Sequence, residues 1–146
     1  MKIILTAIFA LSVQAAPLEP STRAVALTLL GEARGEGAAG LYRVACVIQQ
    51  RQIHRGLSAR GVCLQRWQFS CWNGNGPSSK LLKSKAAPDA IALARKLVAG
   101  EKLRREVVGF ADHYCTLKTF PYWARGRKPV AVFGNHKFYK LKKGKL

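Results

Sequence analysis

A chain of 146 residues with 49% apolar residues is long enough for one packed core and too apolar to be disordered. Lys and Arg number 25 against seven Asp and Glu, for a formal charge of +18. That imbalance excludes indifference to polyanions (nucleic acid, an anionic membrane, an anionic cell wall) and says nothing about fold.

The N-terminus reads as an export signal. Lys2 supplies the positive region, Ile3–Val13 an apolar stretch too short to span a bilayer comfortably, and Gln14-Ala15-Ala16 a small-residue cleavage site. An uncleaved anchor is the alternative. Cleavage after residue 16 removes one positive charge, Lys2, from +18 and leaves +17. Residues 17–21 form a linker, with Ser21 as the expected N-cap of a helix over 22–33. Val25, Leu29 and Glu32 share one face of that helix. Gly35 and Gly37 interrupt it. A second helix is expected over 38–54, with Leu41, Ala45, Ile48 and Gln52 inward and Arg43 and Gln50 outward.

Residues 55–86, rich in Gly, Ser, Asn and Lys, read as an irregular lobe. Pro88 opens a third helix that runs to Ala99, with Asp89 in its first turn and Gly100 past its end. Residues 107–110 read as a short strand and 120–128 as a loop rich in aromatics and Arg. Residues 130–133 and 137–139 read as two strands around the turn Gly134-Asn135. A basic tail closes the chain at 141–146. The sum is an α+β single domain, mainly helical with a small antiparallel β element, expected to be a monomer.

Export makes the four cysteines, Cys46, Cys63, Cys71 and Cys115, read as two disulfides. Three connectivities are open. Cys63–Cys71 with Cys46–Cys115 is favoured, because Cys63 and Cys71 bracket a loop-like stretch. A zinc site is the rival, but no Cys-x-x-Cys spacing occurs. No metal or cofactor is expected.

Among the seven acids, Glu19 lies in the linker, Asp89 starts a helix, and Glu101 and Glu106 sit among Lys and Arg. Glu32, Glu36 and Asp112 remain for chemistry. Glu32 faces inward beside apolar neighbours, where lost solvation raises a carboxyl pKa and suits a general acid. An ion pair with Arg34, or a hydrogen bond to a backbone amide, is the plainer alternative. Glu36 follows Gly35 and reads as a loop or cap residue. His113 and Tyr114 follow Asp112, and Asn135 and His136 close the hairpin-like segment. These polar groups amid hydrophobic flanks either line a cleft or make structural hydrogen bonds. His54 ends a helix, where it suits the dipole. Trp67, Phe69, Trp72, Tyr122 and Trp123 lie in loop-like regions beside Asn and Ser. Such rings either stack on the C–H face of a pyranose or cap the core.

Residues 29–37 (Leu-Leu-Gly-Glu-Ala-Arg-Gly-Glu-Gly), then Gly40-Leu41-Tyr42-Arg43-Val44-Ala45 and Gln49-Gln50-Arg51, resemble the catalytic domain of cell-wall hydrolases of the spore-cortex-lytic type. Trp123-Ala124-Arg125-Gly126 and Gly134-Asn135-His136-Lys137-Phe138-Tyr139 resemble that family's C-terminal signature, with Gln68-Phe69-Ser70 and His113-Tyr114 between them in order. The resemblance covers residues 22–140. It implies a lysozyme-like domain related to lytic transglycosylases. The bond cleaved is that between N-acetylmuramic acid and N-acetylglucosamine in peptidoglycan. The catalytic residue is implied to be Glu32, with Phe69, Ser70, His113, Tyr114, Trp123, Asn135 and His136 as candidates to hold substrate. The chain departs from the family in its cysteines, its basicity and the lack of a repeat-type wall-binding segment. Spore, phage-lysis and remodelling roles stay open.

Three classes compete. A peptidoglycan-cleaving enzyme fits most observations. A cationic binding module fits the charge, but export argues against nucleic acid. A Cys/His peptidase needs a free thiolate near His113 or His136, which the expected disulfides oppose. For the enzyme, a hydrolase needs a second carboxylate about 5–9.5 Å from the first. Asp112 is the candidate. A lytic transglycosylase needs only Glu32 and yields 1,6-anhydro sugars. The expected location is periplasmic or extracellular, with no stable membrane insertion once the signal is removed.

Overall fold

Pro20 stands in the first turn of α1 (Pro20–Ala33), where its missing N–H costs nothing. Glu19, not Ser21, caps this helix: its carboxylate accepts from the backbone N–H groups of Ser21 and Thr22, both at 2.9 Å. The computed structural model describes residues 16–142. The apolar export segment expected at residues 3–13, and tail residues 143–146, lie outside the described residues. Burial extends right round α1, from Val25 and Ala26 through Leu29, Leu30 and Ala33. A helix apolar on all sides belongs at the centre. α2, α3 and α4 pack around it.

The second helix, α2 (Gly37–Arg55), ends at Gly56, whose φ of 63° returns its N–H to Gln52 O. Leu41, Val44, Ala45 and Ile48 form its buried face. Gln50, expected outside, is 1% exposed, and Gln52, expected inside, is only half-buried. The reason is pairing: Gln50 Oε1 accepts from Arg105 at 2.6 Å, while its Nε2 meets His54 Nε2 at 2.8 Å. Gln49 clasps the same region, donating to Glu101 O and accepting from Leu103 N.

The stretch expected to be irregular holds a short helix, α3 (Ala59–Leu64), capped by Ser58 Oγ on Gly61 N at 3.0 Å. Six residues are too few for a periodic pattern to announce a helix. Tight 3-10 turns follow at Ser70–Trp72 and Ser79–Lys83. α4 (Ala87–Val98) matches its expected bounds to within a residue or so.

The strand expected at 107–110 does not form. Arg105–Val108 is a 3-10 turn closed by Gly109 at φ 60°, and it drops Val108 into the core. The sheet instead gains β1 (His113–Thr116), which joins β2 (Ala131–Phe133) and β3 (His136–Tyr139) in the antiparallel order β1-β3-β2. Tyr114 pairs with Phe138 and Thr116 with His136. Every residue of β3 is buried, including Lys137, whose Nζ donates to Thr119 O and lies 3.7 Å over the Phe120 ring.

The cysteines carry free thiols, so the expected disulfides do not form. Cys46 lies in the core with its Sγ on Arg104 O, and Cys115 lies at the cleft with its Sγ on Thr119 O. They are lodged in different parts of the molecule. Cys63 is buried in the core, and Cys71 is half-buried beside Gly31. Among the described residues, no helix is long and apolar enough to cross a membrane.

Candidate active site

α1 ends one residue after Glu32, at Ala33, and this carries the carboxylate to the helix end and into a cleft. Gly31 makes room beside it. A Cβ there would come within 2.6 Å of Cys71 Cβ, so only glycine lets the Ser70–Trp72 turn press this close. The turn then delivers two donors to Glu32 Oε1: Cys71 N at 3.1 Å and Ser70 Oγ at 3.4 Å. From the sheet, Tyr114 Oη donates to Glu32 Oε2 at 2.7 Å. Arg34 takes no part; its guanidinium reaches back to Leu30 O.

Burial of the Tyr114 phenol raises its pKa well above the usual value, and the Glu32 charge adds to the effect. Tyr114 therefore stays protonated and remains a donor at all ordinary pH. Arg51, 4% exposed, ties the floor together. Its Nε donates to Asp112 O at 2.7 Å, a terminal nitrogen donates to Gln68 O, and the guanidinium lies 4.9 Å from the Phe69 ring centroid. Burial lowers its pKa.

The cleft encloses about 950 Å³. Glu32, Arg51, Tyr114 and His136 are among the residues that line it. Trp67, Gln68, Ser70, Asn73, Thr119, Phe120, Tyr122 and Trp123 also line it. Phe120 and Tyr122 are largely exposed. Trp123 is held between His113, at 5.1 Å between ring centroids, and Tyr139, at 5.4 Å edge-on.

The structure thus brings Glu32, Ser70, His113, Tyr114, Trp123 and His136 to one cleft. Three other candidates lie elsewhere. Phe69 is 2% exposed and belongs to the core under Arg51. Asn135 sits in the β2–β3 turn, where its N–H donates to Glu36 Oε2 at 3.1 Å. A Cβ at Gly134 would collide with that same carboxylate, so Glu36 is a lock on the turn. Asp112 is 2% exposed and does not line the cleft. Its carboxylate accepts from His113 Nδ1, Leu141 N and Lys142 N at 2.9–3.0 Å, and His54 Nδ1 lies 3.3 Å away. Burial pushes the Asp112 carboxyl up, but the hydrogen bonds from His113, Leu141 and Lys142 outweigh it and hold it well below the usual carboxylate range. Asp112 is therefore an anion at neutral pH, and it anchors residues 141 and 142. It also orients His113, whose Nδ1–H donates to the Asp112 carboxylate.

The cleft thus sets one carboxylate, Glu32, among aromatic side chains. The model described as Cell Wall Hydrolase matches residues 35–139. The chain belongs to the cell wall hydrolase family. No match was found among curated proteins or among solved structures.

The match begins three residues after Glu32 and spans Ser70, Tyr114, Trp123 and His136. The family is one of enzymes that act on peptidoglycan. Two contributors in this hydrolase escape a reading by residue type. Arg51 follows Ile48 by one helical turn, so its place on the inner face of α2 is a usable signal. The Cys71 N–H is a backbone donor, and side-chain pattern carries no trace of it.

Proposed function

We propose that this cell wall hydrolase cuts the bond between N-acetylmuramic acid and N-acetylglucosamine in peptidoglycan, with Glu32 as the single acid and base. The observation that carries the proposal is that Glu32 is the one carboxylate among the residues lining the cleft. Hydrogen bonds from Tyr114 and Cys71 fix its orientation, which general acid catalysis requires.

In the first step, Glu32 gives its proton to the glycosidic oxygen and the bond from C1 to that oxygen breaks. Positive charge develops at C1 and the ring oxygen. In the second step, the Glu32 carboxylate takes the proton of the muramic acid C6 hydroxyl as that oxygen attacks C1. The product is a 1,6-anhydro sugar, and no water is consumed. Hydrolysis by two carboxylates would need a partner across the scissile bond, and Asp112 is buried and does not line the cleft. Ser70, His113, Trp123 and His136 hold the sugars. Work outside the cytoplasm is supported by the family's substrate and by the export pattern at Lys2, Ile3–Val13 and Ala15-Ala16.

Digestion of purified peptidoglycan in ¹⁸O-labelled water tests the mechanism. Unlabelled anhydromuropeptides are expected, and label at a reducing end would mean hydrolysis. Glu32→Gln should fold normally and lose about 10²–10⁴-fold in rate. A variant that keeps a third of the wild-type rate would remove Glu32 from its role.

A further inference from the structure

A second cavity of about 290 Å³ lies beyond the main cleft, bounded by Leu64, Arg66, Trp67, Trp72 and Asn73. Trp67 and Asn73 also line the main cleft, so the two spaces adjoin at these residues. Trp67 is 70% exposed, and its backbone sits at φ 63°, a left-handed conformation that a bulky residue adopts only at a cost. Such strain persists where the surroundings impose it, and it collects at sites that grip ligands. The Arg66 guanidinium stacks 5.1 Å from the Trp67 ring centroid and steadies it.

Trp72 is fixed differently. Trp72 Nε1–H donates to Thr28 Oγ1 at 2.8 Å, which ties the indole to α1. Gly76, at φ 72°, lies against the same ring: a Cβ there would come within 3.1 Å of Trp72 Cε3. One exposed indole, one pinned indole and Asn73 line this cavity. It presents apolar faces for the C–H side of a sugar and an amide for its polar substituents.

We infer that the Trp67–Trp72 groove is a distal subsite that takes the continuing glycan chain of the same substrate. The inference rests on the peptidoglycan reading above. The enzyme then grips several sugars to one side of the bond it cuts and favours long strands over short ones.

The test compares two peptide-free substrates: a tetrasaccharide of two disaccharide repeats, and glycan strands of about ten repeats or more. Because Trp67 borders both spaces, Trp67→Ala should lower kcat/KM on both substrates, with a loss about tenfold greater on the long strands than on the tetrasaccharide. Trp67→Phe keeps a ring and should retain at least about half of the long-strand rate. The melting temperature of each variant, expected to match the wild type, checks the fold. Equal loss on both substrates, or no loss on long strands, overturns the distal subsite while leaving the main reading intact. A wild type that cleaves neither these strands nor purified peptidoglycan overturns the peptidoglycan reading, and this inference with it; one that cleaves peptidoglycan but not the long strands overturns this inference alone.

Discussion

Gly31→Ala is a one-carbon change whose effect can be worked out from distances. The new Cβ would meet Cys71 Cβ at 2.6 Å and Cys71 Sγ at 3.0 Å. Carbon atoms in ordinary contact lie about 3.5–4.0 Å apart, so the Ser70–Trp72 turn must retreat by about 1 Å. Cys71 N starts 3.1 Å from Glu32 Oε1, and that retreat takes it out of hydrogen-bonding range. Misplacement of about 1 Å at a reacting group can lower a rate about 10²-fold. Stability moves less. Overpacking costs about 1–3 kcal/mol, and the exchange of Gly for Ala inside a helix returns about 1 kcal/mol. The net loss, about 0–2 kcal/mol, shifts Tm by only a few degrees in a domain of this size. Thermal unfolding followed by circular dichroism, together with clearing of a peptidoglycan suspension, reads both quantities. A variant that clears wall at the wild-type rate would refute the argument that close approach of this turn holds Glu32.

Tyr114→Phe removes the donor at Glu32 Oε2 and little else; it should cost about tenfold to a hundredfold in kcat with a folded protein, measured on the same suspension. Asp112→Asn should destabilise by about 2–3 kcal/mol in urea unfolding near neutral pH, because the anion that holds His113, Leu141 and Lys142 is gone. The folded-state pKa of Asp112 lies below its unfolded value of about 3.9, so its contribution is complete above that pH and fades as pH falls toward the folded value. Acid unfolding of the wild type should therefore steepen below about pH 4, and the Asn variant should show a flatter acid limb. Thiol titration under denaturant should find all four cysteines, whereas in the native state Cys46 and Cys63, whose thiols burial pushes up to about 12, should stay unreactive near pH 8. Sedimentation with wall should weaken steeply as salt rises, since a charge of this size is screened beyond about 8 Å at physiological ionic strength.

The sequence by itself determined the helical frame and singled out Glu32, the carboxylate that lines the cleft. Long amphipathic or wholly apolar runs with capping signals, as in α1, α2 and α4, carry their own periodicity. Glu32, an acid on an apolar face at a helix end, stood out against neighbours that had no use for it. The Gly134-Asn135 hairpin was legible because turn chemistry is local. Short elements were not: α3 spans barely more than one turn, and β1 has no alternation of buried and exposed residues to read. The cysteines misled because an even count in an exported chain sets a prior on pairing, and pairing depends on separations that only the packed chain fixes. Tertiary structure alone decided which candidates meet. Phe69 went to the core because Arg51 covers it, and Asp112 was taken by backbone donors 29 and 30 residues along the chain. Glu32 acquired Tyr114 from 82 residues away and Cys71 N from 39, through a gap that only the missing side chain of Gly31 leaves open. Sequence pattern reports which face of an element is buried; the partner it is buried against is chosen by packing over the whole chain.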